Sequence, residues 1–321
     1  MKAVRVHQTG GPEVLRLEEV PVPEPGPGEV LVRLLAIGVN YIDTYKRKGL
    51  YPMPLPFTLG EEGAGVVEKV GEGVLGVAPG DKVAFANVQG AYATYQVVPA
   101  EKLVPVPEGL EPRLAAAVLL QGMTAHYLLK STYPVAPGDQ VLVHAGAGGV
   151  GLLLIQWAKR LGATVYATAS TEAKRALAKE AGADYALPYE GFAQAVKALS
   201  GGGVDVVYDG VGQSTFEGSL DALRSRGVLV LFGQSSGPVP PLDPQVLNRK
   251  GSLFLTRPTL HHYTASRKEL LFRAGEVFQA VREGWLRVRI GAEFPLEKAR
   301  EAHEALEGRR TTGKVLLSSH A

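Results

Sequence analysis

The chain has no cysteine, which excludes a disulfide framework, thiolate zinc centres, iron–sulfur clusters and cysteine nucleophiles together. It also lacks an excess of either charge. Its 34 Lys and Arg stand against 32 Asp and Glu, and a net charge of +2 does not mark nucleic acid or an anionic membrane as the main partner. No uninterrupted run of about 18 apolar residues occurs, so no transmembrane helix is expected. The opening MKAVRVHQTGGPEV has no apolar core of the kind a secretory signal needs, and a cytoplasmic location is the expectation. The seven histidines (His7, His126, His144, His261, His262, His303 and His320) follow no metal-ligand spacing, and the His261–His262 pair suits an exposed turn. No metal site is expected. What is present is ordinary for a folded globular protein: 45% hydrophobic and 21% charged residues over 321 positions, enough for two domains.

The texture changes along the chain. Residues 1 to about 115 hold short β-branched runs (Glu29–Ala36, Gly65–Val70, Lys82–Phe85, Ala93–Val98) separated by turns such as PVPEPGPGE, which predicts a barrel-like or sandwich-like unit. Leu114–Lys130 has helical periodicity, with an interruption expected at Gln121–Gly122. From about Pro137, compact apolar strands alternate with helices. Strands are predicted at Gln140–His144, Thr164–Ala169, Tyr185–Leu187, Val204–Tyr208, Val228–Phe232 and Ser252–Thr256. Helices are predicted at Val150–Leu161, Glu172–Ala181, Phe192–Leu199 and Thr215–Leu223. That alternation makes a parallel sheet with helices on both faces. A long helix near Arg267–Glu283 and a short strand, Lys314–Leu317, follow. The predicted plan is a β-rich domain of residues 1–117 and 261–321, interrupted by a doubly wound dinucleotide domain of residues 118–260.

The segment AGAGGVG at 145–151 places Gly146, Gly148 and Gly151 in a G-x-G-x-x-G spacing. The pattern is weak in a chain with 39 glycines, but here it lies between a buried-looking strand and an apolar helix. One glycine permits the tight turn, one lets a pyrophosphate approach the backbone, and one lets helix and strand pack closely. The phosphates then meet unpaired N–H groups and the positive helix end. At the end of the second strand an NAD site usually carries a carboxylate for the adenosine ribose. This chain has TVYATASTEAK, so the strand exits onto Ala169 and Ser170. Ser170 and Lys174 can donate to a 2′-phosphate, whereas Glu172 suits the first helical turn after a Ser/Thr cap. NADPH is the predicted cofactor.

With these features assembled, the chain resembles the medium-chain dehydrogenase/reductase superfamily, and within it the zinc-free quinone oxidoreductase branch that includes zeta-crystallin. The resemblance is carried by GGPEVL (10–15), AIGVNYIDTYKRKGLYP (36–52), LGEEGAGVVEKVGEGV (59–74), GMTAHYLL (122–129), HAGAGGVG (144–151), VVYDGVG (206–212) and GSLFLTRPTL (251–260). Zinc-dependent alcohol dehydrogenases of the superfamily hold their metal with a Cys shortly after a Gly-Val pair and with the His of an L-G-H-E segment. Asn40 and Glu61 stand there in this chain. The resemblance implies a GroES-like catalytic domain, a Rossmann domain for NADPH, a homodimer joined through sheet edges, and zinc-independent reduction of quinones in an interdomain cleft. It implies cofactor contacts from Tyr45, Thr124, Tyr127, Gly148, Gly149, Val150, Ser170, Lys174, Tyr189, Phe232 and Arg309, beside Gly146 and Gly151 of the loop. It further places Asn40, Tyr45 and Tyr51 at the nicotinamide and acceptor. Hydride transfer to a quinone demands only close placement and a hydrogen-bond donor for the developing oxyanion, so no side chain is expected to be an obligatory acid. Two alternatives stay open: reduction of α,β-unsaturated ketones or aldehydes, and a non-catalytic RNA-binding or crystallin-like structural role. The cofactor assignment predicts that Lys174→Glu reverses the preference for NADPH over NADH. Initial rates with each cofactor decide it, and retained NADPH selectivity overturns it.

Overall fold

The computed structural model describes residues 1–319 and divides into two compact units. The first holds residues 1–123, 264–284 and 288 onward, and the second holds residues 124–263 and 285–287. Of the histidines named above, His320 lies outside the described residues.

The first unit is organised by one eleven-residue strand, Glu29–Val39. Glu62–Val70 pairs antiparallel along one edge. The other edge is divided between Tyr95–Pro99, against residues 29–33, and Lys314–Ser318, against residues 36–39. The sheet continues through Lys82–Ala86 to Val104–Pro105 on one side and to Ile290–Pro295 on the other. A three-stranded sheet of Leu15–Glu19, Lys2–Val6 and Phe57–Thr58 accompanies it. Val30, Val32, Leu34, Ile37, Phe85, Tyr92 and Leu317 form part of the shared core. This is the β-rich unit that the turn-punctuated sequence predicts, and it matches the GroES-like domain that the resemblance implies.

The second unit is a six-stranded parallel sheet. In space the strands run Tyr185–Leu187, Thr164–Thr168, Gln140–Val143, Val204–Asp209, Leu223–Leu231, Phe254–Thr256. Numbered by sequence within the sheet this is the order 3-2-1-4-5-6 of the dinucleotide-binding fold. Val141, Leu142, Val143, Val206 and Val207 are fully buried, as required of strands covered on both faces. The Rossmann expectation holds.

Three local expectations need correction. Residues 41–48 lie within the stretch predicted to be β-rich, and Tyr41, Ile42, Thr44 and Tyr45 favour strands, yet Tyr41–Lys48 is a helix. Its ends explain this. Asp43 Oδ2 accepts from the N–H of Asn40, the N-cap, at 3.0 Å, and Gly49 closes the helix with φ of 85°. Strand Leu223–Leu231 begins five residues before the predicted Val228. Its early part is polar, and Arg226 has φ of 63°, so the sequence there resembles a turn. The helix Pro112–Tyr127 is continuous through Gln121–Gly122. Gly122 serves packing instead of a break: a Cβ there would lie 2.6 Å from Val277 Cγ1, on the helix Arg267–Arg282, and 3.2 Å from Val118 Cγ2. Among the described residues no helix is long and apolar enough to cross a membrane.

Gly122→Ala should therefore destabilise by about 1–2 kcal/mol, overpacking outweighing the better helix propensity of Ala. Chemical denaturation of Gly122→Ala, Val277→Ala and the double variant checks this, the double being more stable than the sum of the two losses.

Candidate active site

In the second unit the chain leaves the strand Gln140–Val143 through His144 and enters the glycine loop at Ala145, which has φ of 51°. This left-handed turn aims the Ala145 carbonyl back across the loop, where it accepts from Gly148 N–H at 2.9 Å. A Cβ on Gly151 would overlap that carbonyl, and one on Gly146 would lie 3.0 Å from Ala167 Cβ and 3.3 Å from Ala178 Cβ. These two glycines are thus close-packing positions. Gly148 is the N-cap of the helix Gly149–Arg160. The first-turn N–H groups at Gly149 and Val150 have no acceptor inside the helix, and these two residues with Gly148 are half-buried. The loop is a cradle that side chains would fill, which fits a pyrophosphate.

Under the loop lies a buried polar network that the sequence reading missed. Ser219 Oγ donates to Asp209 Oδ2 at 2.7 Å, so it accepts from His144 Nε2 at 2.9 Å. His144 Nδ1 in turn accepts from the Thr168 hydroxyl at 2.7 Å. Burial drives the imidazole pKa downward against the opposing pull of Asp209, and the neutral Nε2–H tautomer satisfies every partner. Asp209 also accepts from Thr215 Oγ1 at 2.7 Å and from Val211 and Gly212 N–H at 2.8 and 3.0 Å. The ends of strands 1, 2 and 4 of the sheet are thereby joined beside the point where strand order reverses. Phe232 lies over the same turn: its N–H donates to Asp209 O at 2.9 Å, and a Cβ on Gly210 would sit 2.9 Å from Phe232 Cζ.

At the end of the second strand, Ser170 is exposed, and Thr171 caps the helix Glu172–Ala181 by accepting from Lys174 N–H at 3.1 Å. Glu172 stands in the first turn, the role its spacing indicates. Arg175, not singled out from the sequence, donates through Nη1 to Ala169 O at 3.1 Å and so adds a guanidinium to this corner. Tyr189 accepts from Ala145 N–H at 3.0 Å and stacks on His144 at 6.0 Å, which makes it an anchor of the glycine loop. Tyr127 is buried and stacked on Tyr263 with centroids 4.2 Å apart; Thr124, one turn earlier, is also buried.

In the first unit Tyr45 and Tyr51 are in contact, edge-on with centroids 5.6 Å apart, while Asn40 stands at the start of the helix that carries Tyr45, as its N-cap. Asn40 is buried among charges. Its Nδ2 donates to Glu62 Oε1 at 2.9 Å, and its Oδ1 accepts from Lys314 Nζ at 3.0 Å and from Gln121 Nε2 at 3.4 Å. Lys314 Nζ reaches Glu62 Oε1 at 2.6 Å, the two side chains being 1% and 0% exposed. Glu62 Oε2 accepts from Leu120 N–H at 2.7 Å. Glu61 is held by Lys46, which also donates to Gln89 Oε1 at 2.8 Å. The only hint of these pairs in the sequence is a charge at the head of an apolar run, in EEGAGVV and KVLL. Arg309 is exposed, with φ of 58°, just beyond the helix Ala299–Glu307. His261 and His262 are exposed in the short helix Leu260–Tyr263. Among the described residues no group of three or more His, Asp or Glu side chains is placed to hold a metal ion.

Comparison with known proteins agrees with both units. Residues 26–108 match the alcohol dehydrogenase GroES-like domain family, and residues 149–267 match the zinc-binding dehydrogenase family. A quinone oxidoreductase of Pseudomonas aeruginosa is 46% identical over 98% of this chain and 99% of its own length. A 2-haloacrylate reductase from a Burkholderia species is 44% identical over 99% of each. The solved quinone oxidoreductase of Escherichia coli in complex with NADPH superposes with a TM-score of 0.97 at 43% identity, covering 99% of this chain and 100% of that one. With identity at this level along its whole length, the chain belongs to the quinone oxidoreductases of the medium-chain dehydrogenase/reductase superfamily.

Proposed function

We propose that the protein is an NADPH-dependent quinone reductase that works without zinc, as a cytoplasmic homodimer. The observation that carries the cofactor assignment is a strand end without a carboxylate, at Ala169–Ser170, beside a glycine loop shaped for pyrophosphate. Residues 118–260 form the NADP-binding domain, and 1–117 with 261–321 form the catalytic domain. Gly148, Gly149 and Val150 hold the pyrophosphate, in a loop whose tight path Gly146 and Gly151 permit. Ser170 and Lys174, joined by Arg175, take the 2′-phosphate, and Tyr189 flanks the adenosine. Tyr45, Thr124, Tyr127, Phe232 and Arg309 complete the contacts. NADPH, when bound, supplies the hydride.

On the acceptor side, Tyr45 and Tyr51 orient the quinone. One Nδ2 hydrogen of Asn40 is committed to Glu62 and its carbonyl to Lys314 and Gln121, so its second amide hydrogen is the donor for the developing quinol oxygen. Zinc independence is supported by the charges around Asn40 and Glu61. Lys314 and Lys46 already neutralise the carboxylates there, and among the described residues no group of three or more His, Asp or Glu is placed to hold a metal ion. Dimerisation through sheet edges is supported by the outer strand Phe254–Thr256, where Phe254 is 61% exposed. The haloacrylate reductase relative favours one further reading, reduction of an activated alkene by the same hydride donor and the same oxyanion donor.

Anaerobic NADPH oxidation compared with 1,4-benzoquinone and with a simple enone tests the assignment. Faster turnover with the quinone is expected; turnover with the enone alone moves the protein to alkene reduction. Ser219→Ala, which strands the Nε2–H of His144 and removes a donor from Asp209, should raise KM for NADPH about tenfold with kcat held within about twofold.

A further inference from the structure

The helix Tyr41–Lys48 is tied into the first unit by a chain of buried polar groups outside the proposed reaction, and the donors in that chain all run one way. Arg47 is fully buried; it donates from Nη1 and Nη2 to the two Glu307 carboxylate oxygens at 2.8 and 2.9 Å, and from Nε to Gly10 O at 3.1 Å. Nη1 also contacts His303 Nδ1 at 2.6 Å. A guanidinium only donates, so His303 Nδ1 accepts and Nε2 carries the proton. His303 Nε2 then donates to Tyr92 Oη at 2.9 Å, and the Tyr92 hydroxyl donates to Asp43 Oδ2 at 2.8 Å. The same Oδ2 accepts from the N–H of Asn40 at 3.0 Å. Both donors therefore reach one oxygen, while Oδ1, equally buried, has no hydrogen-bond partner.

Neither protonation state satisfies this carboxyl. Ionised, it leaves a bare buried oxygen; neutral, it leaves a buried O–H without an acceptor and weakens its hold on Asn40. We propose that Asp43 is a positioning residue whose ionised carboxylate fixes Asn40 and the first turn of the Tyr45 helix for quinone, and whose protonation releases them. This rests on the acceptor-side roles given above to Asn40 and Tyr45. Burial, with the groups around Asp43, puts the two states within reach of each other. Burial raises its pKa to about 7, with Glu61 adding to the rise and the bonds from Asn40 and Tyr92, with Lys314, opposing it. Behind Tyr92, burial and the Arg47 charge hold His303 down at about 3, so it stays neutral throughout and passes on no titration of its own. Glu307, paired with Arg47 and Lys48, is held below the usual carboxylate range.

The test is kcat/KM for 1,4-benzoquinone at saturating NADPH, followed across pH. It should fall about five- to tenfold on acidification through about pH 7. Asp43→Asn, which mimics the neutral acid, should lie at the low plateau with no inflection. Tyr92→Phe removes a bond that favours the carboxylate, so its inflection should move to higher pH. A flat wild-type profile, or an inflection surviving in Asp43→Asn, overturns the proposal. Should Asp43→Asn not fold, infrared spectroscopy of wild type labelled with carboxyl-13C aspartate decides instead. A protonated aspartic acid persisting to about pH 6, well above the ordinary range, is required, and its absence overturns the proposal. Asn40→Ala separates the two levels. An unchanged quinone KM there removes the acceptor-side reading itself, whereas a raised KM beside a flat wild-type profile removes only the role of Asp43.

Discussion

A fully buried carboxylate, Glu62, has to be neutralised, and much of the first unit is arranged around doing so. Removing one partner of a buried ion pair costs about 3–5 kcal/mol, because the other charge is left unpaired. Here Lys314 supplies the opposite charge from the C-terminal strand, Asn40 donates from the end of the central strand, and Leu120 donates from the helix Pro112–Tyr127. Three segments far apart in sequence thus converge on the head of a fourth, the strand Glu62–Val70. Asn40 gains its orientation as a by-product of this convergence. Its amide is held from both ends, so in the donor role proposed for it no reorganisation is needed at the moment of reaction.

The second unit solves a related problem without a buried ion pair. His144 is kept neutral, and Asp209 spends its oxygens on two hydroxyls and two backbone N–H groups. This accounting leaves the glycine loop resting on a rigid base: the residue before the loop is clamped by Thr168 and Ser219, and the residue that starts it is bonded to Tyr189. A backbone held at φ of 51° at Ala145 costs of order 1–3 kcal/mol, and such strain persists only where the surroundings overdetermine it. The polar network is what does so here.

These two arrangements also mark what a sequence can and cannot reveal. The glycine loop, the strand–helix alternation and the missing carboxylate after Thr168 were legible because each is a local pattern whose meaning depends on spacing within a few dozen residues. The helix Tyr41–Lys48 was not, because its strand-favouring residues are overruled by a cap and by the burial of Asp43, Thr44, Tyr45 and Arg47. The pairs Lys314 with Asn40 and Arg47 with His303 join residues 274 and 256 positions apart. Nothing local announces such a partner. A buried lysine in KVLL looks the same as a solvated one until the strand register brings Glu62 beneath it.

On the zinc-free reading proposed above, the choice of cation follows from the chemistry required. A metal ion polarises a carbonyl strongly and suits an alcohol or aldehyde, whose oxygen otherwise bears the full developing charge. A quinone delocalises that charge over a conjugated ring, so an oriented amide hydrogen suffices, and the protein has only to keep its own carboxylates from opposing the reaction. Lys46 and Lys314 do this as single positive charges on covalent stems, set in place by folding itself and indifferent to metal supply. What folding itself provides is a lysine for each of the two carboxylates, Lys46 for Glu61 and Lys314 for Glu62.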